Sequence, residues 1–595
     1  MCGFFFEYSN NLIKRNSSQI SKLKDELYKR GPDNFKYINE KKFFVAFSRL
    51  SIQDLNSRSN QPFTDKKNRF ILLFNGELYN FIELKKKLID QGIKFNTKSD
   101  TEVLFNLIVF RGIKHTLSVI RGMFSFVFID KKKNIFYGAR DHFGQKPFYY
   151  SKSKDNFQAS TNIKPILENL NFKSKELDLE SVQQYFFSSG GLITPSKTFF
   201  KNISTLPAGN YFEFRNNKFK LKKYFNCYDL INKNKFLKYR KKNKNELLKI
   251  LDIKLDKAIT RHILSDAKIG ITCSGGIDSS LIAFYNSKLT KNFKIFTNKS
   301  AGIENLSLIV PKIIKLNKID KKKLFFIKQY KKEYFKGLYE LTKSNLFPAK
   351  WGGGPPMKKL CRFARKQGIK VLLGGDGIDE YFCGYLTFKK IFENQNKKNN
   401  LHEILNIKKK LHVHKNYYKP IVNSKKKIIK RIPFIKDKKE KQLITNSLLD
   451  TEFFLQSCTL PHIDEFSMSE SIEVRSPFLD LDLVEFCINL PLKCKIYNVN
   501  KFKNKYLFRK LAIKNYGNFI NRKKEGTRNY SKFISNKKFW NFKNFKILKK
   551  IKVQENLSYK EIFKLINLEI LLRTLNKDLR NIKTIFTKKG IRELI

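Results

Sequence analysis

A chain of 595 residues, 41% hydrophobic and 29% charged, is too long for one hydrophobic core, so two or more globular domains are expected. Its formal charge of +69 invites a nucleic-acid reading, but lysine is spread along the whole chain among Asn, Ile and Phe, as in INKNKFLKYRKKNKNELLKI, and biased composition accounts for it better than a dedicated site. Eight single cysteines without a CxxC pair exclude a zinc ribbon and a disulfide framework.

The amino end, MCGFFFEYSNNLIKRN, lacks a secretory pattern. No stretch reaches the roughly 20 apolar residues that span a bilayer, and a cytoplasmic protein is expected. Cys2 follows the initiator methionine directly. Removal of Met1 would leave its thiol beside its own α-amine, and an amine with a pKa of about 7.7–8.0 can take the thiol proton near neutrality.

The first third contains short β-like runs: FFVAFSRLSI, RFILLFNGELYNF, GMFSFVFID, NIFYGARD and PFYYSK. FIELKKKLIDQG and TEVLFNLIVFRG have helical spacing and are expected to end at Gly. Together they predict a layered α+β domain over residues 1–215. Residues 216–244, which include a strongly basic stretch, read as a linker. From residue 245 to 595, helical segments alternate with short apolar runs such as KIGITC and KVLLGG, predicting an α/β domain on a parallel sheet. The residues after 530 look helical and lysine-rich, and no chemistry is assigned to them.

Within KIGITCSGGIDSSLIAF, an apolar run meets Ser274-Gly275-Gly276-Ile277-Asp278-Ser279 and then a helical pattern. Glycines let the backbone approach a phosphate, and the turn and helix N-terminus supply N–H donors. The loop lacks the GxxxxGK[ST] spacing of a Walker motif.

The stretches MCG, RGPD (30–33), SRLSI (48–52), NGELYN (75–80), SDTEV (99–103) and RDHFGQKPFYY (140–150) stand in an order that resembles class II glutamine amidotransferases. SGGIDSS, KVLLGGDGIDEYFCGY (370–385), HIDEFSMSESIEVRSPFLDLDLVEF (462–486) and KYLFRKLA (505–512) extend the resemblance to the asparagine synthetase family. The resemblance implies a four-layer αββα N-terminal-nucleophile glutaminase domain ahead of an ATP-pyrophosphatase domain.

The same resemblance implies the roles. Cys2 is the nucleophile, with Asn75 and the Gly76 N–H as oxyanion donors. Arg49 takes the glutamine carboxylate, while Glu77 and Asp100 hold its ammonium. Thr272, Ser274, Gly275, Gly276, Asp278, Ser279, Gly374 and Gly375 contact ATP, Asp278 and Asp379 hold Mg²⁺, and Asp376 and Lys505 serve adenylation and amination. The bland readings are a hairpin turn at Asn75-Gly76, a helix cap at Asp100 and a surface charge at Arg49.

The expected reaction converts L-aspartate, L-glutamine and ATP to L-asparagine, L-glutamate, AMP and pyrophosphate through aspartyl-AMP. Ammonia would travel between the sites in a dry connection. Departures from the family pattern at NKSAG (298–302), AKWGGGPPMKKL (349–360), Gly374 and Glu465 open a second reading, a carboxylated sugar as acceptor. A third reading is a tRNA-binding ATP-pyrophosphatase and a fourth a non-catalytic interaction protein. The partners implied are small molecules; no membrane is expected, a nucleic acid is disfavoured and a homodimer is left open.

Overall fold

A computed structural model of the protein describes residues 2–169, 176–187, 194–299, 306–349, 352–385, 387–389, 419–497, 503–522 and 559–575. Bulky residues at the amino end bury both faces of a strand. In Gly3–Ser9, Phe4, Phe6 and Tyr8 enter one apolar cluster and Phe5 enters another. This doubly buried strand lies mid-sheet, antiparallel to Phe43–Arg49 and Asn156–Ser160.

The front domain has two six-stranded sheets. The first contains Gly3–Ser9. The second runs, in spatial order, Lys218–Lys223, Asn210–Arg215, Ile135–Arg140, Gly122–Asp130, Phe70–Leu78 and Phe63–Thr64. Phe4, Phe6, Val45, Phe47, Leu73, Val127 and Phe212 fill the space between them. The outer face of the second sheet buries Leu72, Phe74 and Phe126 under the helices Phe81–Ile89 and Asp100–Val119. The outer face of the first sheet buries Phe5, Phe44 and Ala46 under Ser17–Tyr28 and Ile163–Asn169. The domain is therefore αββα, and each of the five expected strand runs forms a strand.

Two features differ from the sequence expectation or refine it. The helix starting at Asp100 does not end at Gly112: the backbone takes φ +73° there and resumes to Val119. Burial of Thr116 and Leu117 draws the second segment back against the domain, and the Thr116 hydroxyl bonds to the Gly112 carbonyl at 2.8 Å. The segment 216–244 is structured. Lys218–Lys223 pairs with Asn210–Arg215, and Phe236 of the helix Lys233–Lys241 joins the back-domain core.

The back domain carries a five-stranded, all-parallel sheet in the order Leu324–Lys328, Lys294–Lys299, Ile269–Thr272, Val371–Leu373, Glu473–Arg475. The chain builds outward from Ile269–Thr272 on one side and returns on the other. The switch point thus lies between Ile269–Thr272 and Val371–Leu373, where parallel sheets bind ligands beyond their carboxyl ends. Both loops singled out above, starting at Ser274 and Gly374, leave from this point.

The helix Tyr559–Thr574 places Ile566, Leu568 and Leu571 in one cluster with Phe5 and Phe44 of the front domain and Tyr334 and Leu338 of the back domain. Residues 300–302, Trp351 and most of the chain after 530 lie outside the described residues. All eight cysteines are buried and none is in a disulfide. Among the described residues no helix is long and apolar enough to cross a membrane.

Candidate functional site

Cys2 stands at the head of its strand, buried, with its backbone N–H donating to Asn75 Oδ1 at 2.9 Å. Burial pushes its thiol up, opposed by the positive amino terminus and Arg49. A thiol held this way needs a base in contact to become a nucleophile.

Asn75, Gly76 and Glu77 lie inside the strand Phe70–Leu78, not in a hairpin turn. Phe124, opposite Gly76, gives its N–H and C=O to Asp141, so the two residues form a non-hydrogen-bonded pair. The Gly76 N–H therefore faces away from Phe124 and outside the ladder. The close pairing also explains the glycine: a Cβ there would sit 2.2 Å from the Met123 carbonyl oxygen. The Asn75 amide nitrogen rests on Ser125 Oγ at 3.2 Å.

Ser99, not Asp100, caps the helix beginning at Asp100. The buried Asp100 carboxylate instead accepts the Leu78 N–H at 2.9 Å. Burial raises Asp100 to about 6, against the Leu78 hydrogen bond and Arg475. Burial likewise raises Glu77 well above the usual carboxylate range, while Arg475 pulls it back. Two buried carboxyls short of counter-charge suit a ligand that brings an ammonium. Arg49 is buried, and its guanidinium bonds to the carbonyls of Gln53, Asp54 and Asn56 and to Asn60 Oδ1. It organises the loop 53–60 beside Cys2.

In the back domain, Ser274 to Gly276 turn at the end of Ile269–Thr272, with Gly275 at φ +68°, into the helix Ile277–Leu289. Gly276 caps that helix without a side-chain bond, so its first N–H groups point into the loop. Ser279 Oγ accepts the Ser274 N–H at 3.1 Å, and Thr272 Oγ1 ties the neighbouring strand by donating to the Leu373 carbonyl at 3.1 Å. Gly375 faces Asp278: an added Cβ would lie 3.1 Å from that of Asp278.

Lys505, buried at φ +54°, sets its ammonium 2.6 Å from both Asp278 Oδ2 and Asp379 Oδ1. Asp278 Oδ1 is buried and makes no hydrogen bond, which fits a cation beside it. Among the described residues no three His, Cys, Asp or Glu side chains gather for a metal. Two carboxylates are the usual complement for Mg²⁺ when phosphate oxygens and water supply the rest.

Asp376 folds back over Gly374, where an added Cβ would lie 3.0 Å from its Oδ2. A larger residue at 374 would thus press on Asp376. The triple glycine has a packing reason too, since a Cβ on Gly354 would meet the buried His462 ring at 2.8 Å. Glu465 lies 3.7 Å from His462 Nδ1, one helical turn on.

Several residues in the quoted stretches received no role from sequence and prove central. Arg30 donates through Nε to the Cys2 carbonyl at 3.1 Å and forks onto Asp464 of the back domain at 2.7 and 3.0 Å. Fully buried Glu473 and Arg475 reach from the back domain toward Glu77. Burial opposes ionisation of Glu473, but the amino terminus, Arg475 and Lys146 bring it to about 2. Beside Cys2, Leu50 and Ile52 pack on Val371 and Met468, an apolar seam between the domains.

Residues 1–225 match the glutamine amidotransferase domain family, and residues 251–580 match the asparagine synthase family. The glutamine-hydrolyzing asparagine synthetase 1 of Bacillus subtilis is 27% identical over 574 residues, spanning 86% of this chain and 84% of its own. A putative asparagine synthetase of Methanocaldococcus jannaschii is 30% identical over 425 residues, spanning 65% and 76%. Amidase chyE of Penicillium rubens is 26% identical over 400 residues, spanning 64% and 57%. The glutamine phosphoribosylpyrophosphate amidotransferase structure from B. subtilis covers 49% of this chain and 65% of its own at 16% identity, with a TM-score of 0.28.

Proposed function

The chain belongs to the asparagine synthase family, and from that premise we propose that it moves the amide nitrogen of glutamine onto a carboxylate activated by ATP, with L-aspartate as the acceptor and L-asparagine as the product. The observation that carries this reading is the pairing, in one chain, of a buried amino-terminal cysteine against Asn75 with a glycine loop and two carboxylates at the switch point of a parallel sheet.

In this scheme Met1 is removed and the Cys2 α-amine, oriented by Asn75, takes the thiol proton. Sulfur attacks the glutamine amide carbon, and the Gly76 N–H and the Asn75 amide stabilise the oxyanion. Arg49 meets the glutamine carboxylate; Glu77 and Asp100 meet its ammonium. Ammonia leaves with the proton held by the α-amine, and water then releases glutamate from the thioester.

In the back domain the Ser274–Ser279 loop, with Gly374 and Gly375, cradles ATP phosphates. Asp278 and Asp379 would hold Mg²⁺, which when bound would supply positive charge against the phosphates. Lys505 adds a fixed cation there, and Asp376 faces the acceptor. The acceptor carboxylate displaces pyrophosphate, and ammonia displaces AMP from the acyl adenylate. The apolar seam at Leu50, Ile52, Val371 and Met468 supports a water-poor path between the sites.

The amidase-named relatives and the departures from the family pattern at 298–302, 349–360 and Glu465 favour keeping a second acceptor class, a carboxylated sugar, in the test. Pyrophosphate release with ATP and ammonium is measured against L-aspartate and against uronic and nonulosonic acids. Release with L-aspartate alone is expected. Silence with aspartate and release with a sugar acid would reassign the acceptor.

A further inference from the structure

The strand Glu473–Arg475 is the edge of the back-domain sheet, held to its neighbour by Glu473 N–H on the Lys370 carbonyl and by Gly374 N–H on the Arg475 carbonyl, both at 2.8 Å. Alternation puts Glu473 and Arg475 on one face and Val474 on the other. Val474 faces the acceptor loop, its Cγ1 lying 3.2 Å from where a Gly374 Cβ would be. Glu473 and Arg475 face the front domain.

Arg475 is fully buried, and most of its guanidinium is committed. Nε donates to Glu473 at 2.6 Å, and Nη1 donates to the carbonyls of His262 and Leu264 at 2.9 and 2.7 Å. Nη2 is different. It makes no hydrogen bond and points at Glu77 Oε1, 3.4 Å away. A buried guanidinium nitrogen left unbonded is costly unless something completes it. Its neighbours fix its place: the ring of Tyr79 lies 6.0 Å from the guanidinium carbon and, tilted by 34°, 3.9 Å from the ring of His262.

We propose that the glutamine pocket is a two-domain site, in which Arg475 of the back domain is a positioning residue that aims Glu77 at the glutamine ammonium. This rests on the reading of Glu77 given under Proposed function. Glu77 faces Arg475 and the amino terminus as cations, and Glu473 and Asp100 as anions. Lys146 in turn faces Glu473. Without Arg475 the Glu77 carboxyl, already raised by burial, is raised further and loses the group that aims it, so the glutamine ammonium is held less well. Substrate binding suffers first, since Arg475 touches neither Cys2 nor the scissile amide.

The test is steady-state glutamine hydrolysis by the full chain, comparing wild type with Arg475→Met, Arg475→Lys, Glu77→Gln and the double variant Arg475→Met/Glu77→Gln. Arg475→Met is expected to raise KM for glutamine about ten- to hundredfold with kcat changed far less. Its kcat/KM profile should move to higher pH, because removing a cation raises the Glu77 pKa. Arg475→Lys should recover part of the loss. The double variant should be no worse than Glu77→Gln alone. An unchanged KM in both Arg475 variants, or additive losses in the double variant, would overturn the inference. Should Arg475→Met not fold, Arg475→Lys against Glu77→Gln carries the same comparison. Wild-type protein that hydrolyses no glutamine would refute the underlying reading instead.

Discussion

At the scale of single residues, the site is built from groups whose solitary cost is high and whose partners sit on other elements. Asp100 is an example: the helix cap is taken by Ser99, and its buried carboxyl, near 6, is left for a cationic ligand. Its folded value is raised above the ordinary 3.8, so protonation sets in as pH falls through 6 and removes the anion proposed to meet the glutamine ammonium. The kcat/KM for glutamine should therefore fall about tenfold per unit below pH 6. A profile flat down to pH 5, measured by glutamate release, would remove Asp100 from the ammonium site. Gly384 offers a sharper steric test. A Cβ there would lie 1.7 Å from Asp379 Oδ1 and 2.6 Å from Lys505 Cε. Gly384→Ala should lower ATP–pyrophosphate exchange by on the order of a hundredfold, since displacing both groups by an ångström is enough, while leaving glutamine hydrolysis in place. Unchanged exchange would take Asp379 and Lys505 out of the nucleotide site.

At the scale of elements, what sequence made legible was local and periodic. GMFSFVFID and NIFYGARD are short β-like runs bounded by turn residues, so their strands were readable, and SGGIDSS announced its loop by residue type alone. Partnerships between distant segments were not readable. Nothing in IEVRSP says that Glu473 and Arg475 face Glu77, some four hundred residues away in sequence, because that follows from which sheet edge meets the front domain. Gly112 misled for a related reason. A glycine reads as a helix stop, but burial of Thr116 and Leu117 makes the chain resume. The helix Tyr559–Thr574, read as merely helical and basic, packs on both domains. Truncating its buried Leu571 to Ala should cost about 2–5 kcal/mol, seen as a lowered midpoint of denaturant unfolding. An unmoved midpoint would mean that the helix is not part of the folded core.

At the scale of the molecule, the two domains share buried ionic and apolar contacts. The Arg30–Asp464 pair and the seam of Leu50, Ile52, Val371 and Met468 both stand next to Cys2. Under the proposed function one chain carries both chemistries, and an enclosed interface would favour their coupling, because ammonia released in bulk water is largely protonated and loses its nucleophilicity. The formal charge of +69 plays no part in this account, since it is spread over the whole chain. The most direct test is isotopic. The full chain is given ATP, its acceptor, amide-¹⁵N glutamine and an excess of unlabelled ammonium, and the product amide is read by mass spectrometry. The predicted result is product labelled mainly with ¹⁵N in the wild type, and unlabelled product, still formed, in Cys2→Ala. Wild-type product carrying the isotope ratio of the bulk ammonium, or Cys2→Ala product still carrying glutamine nitrogen, would contradict the transfer of nitrogen from Cys2 to the back domain.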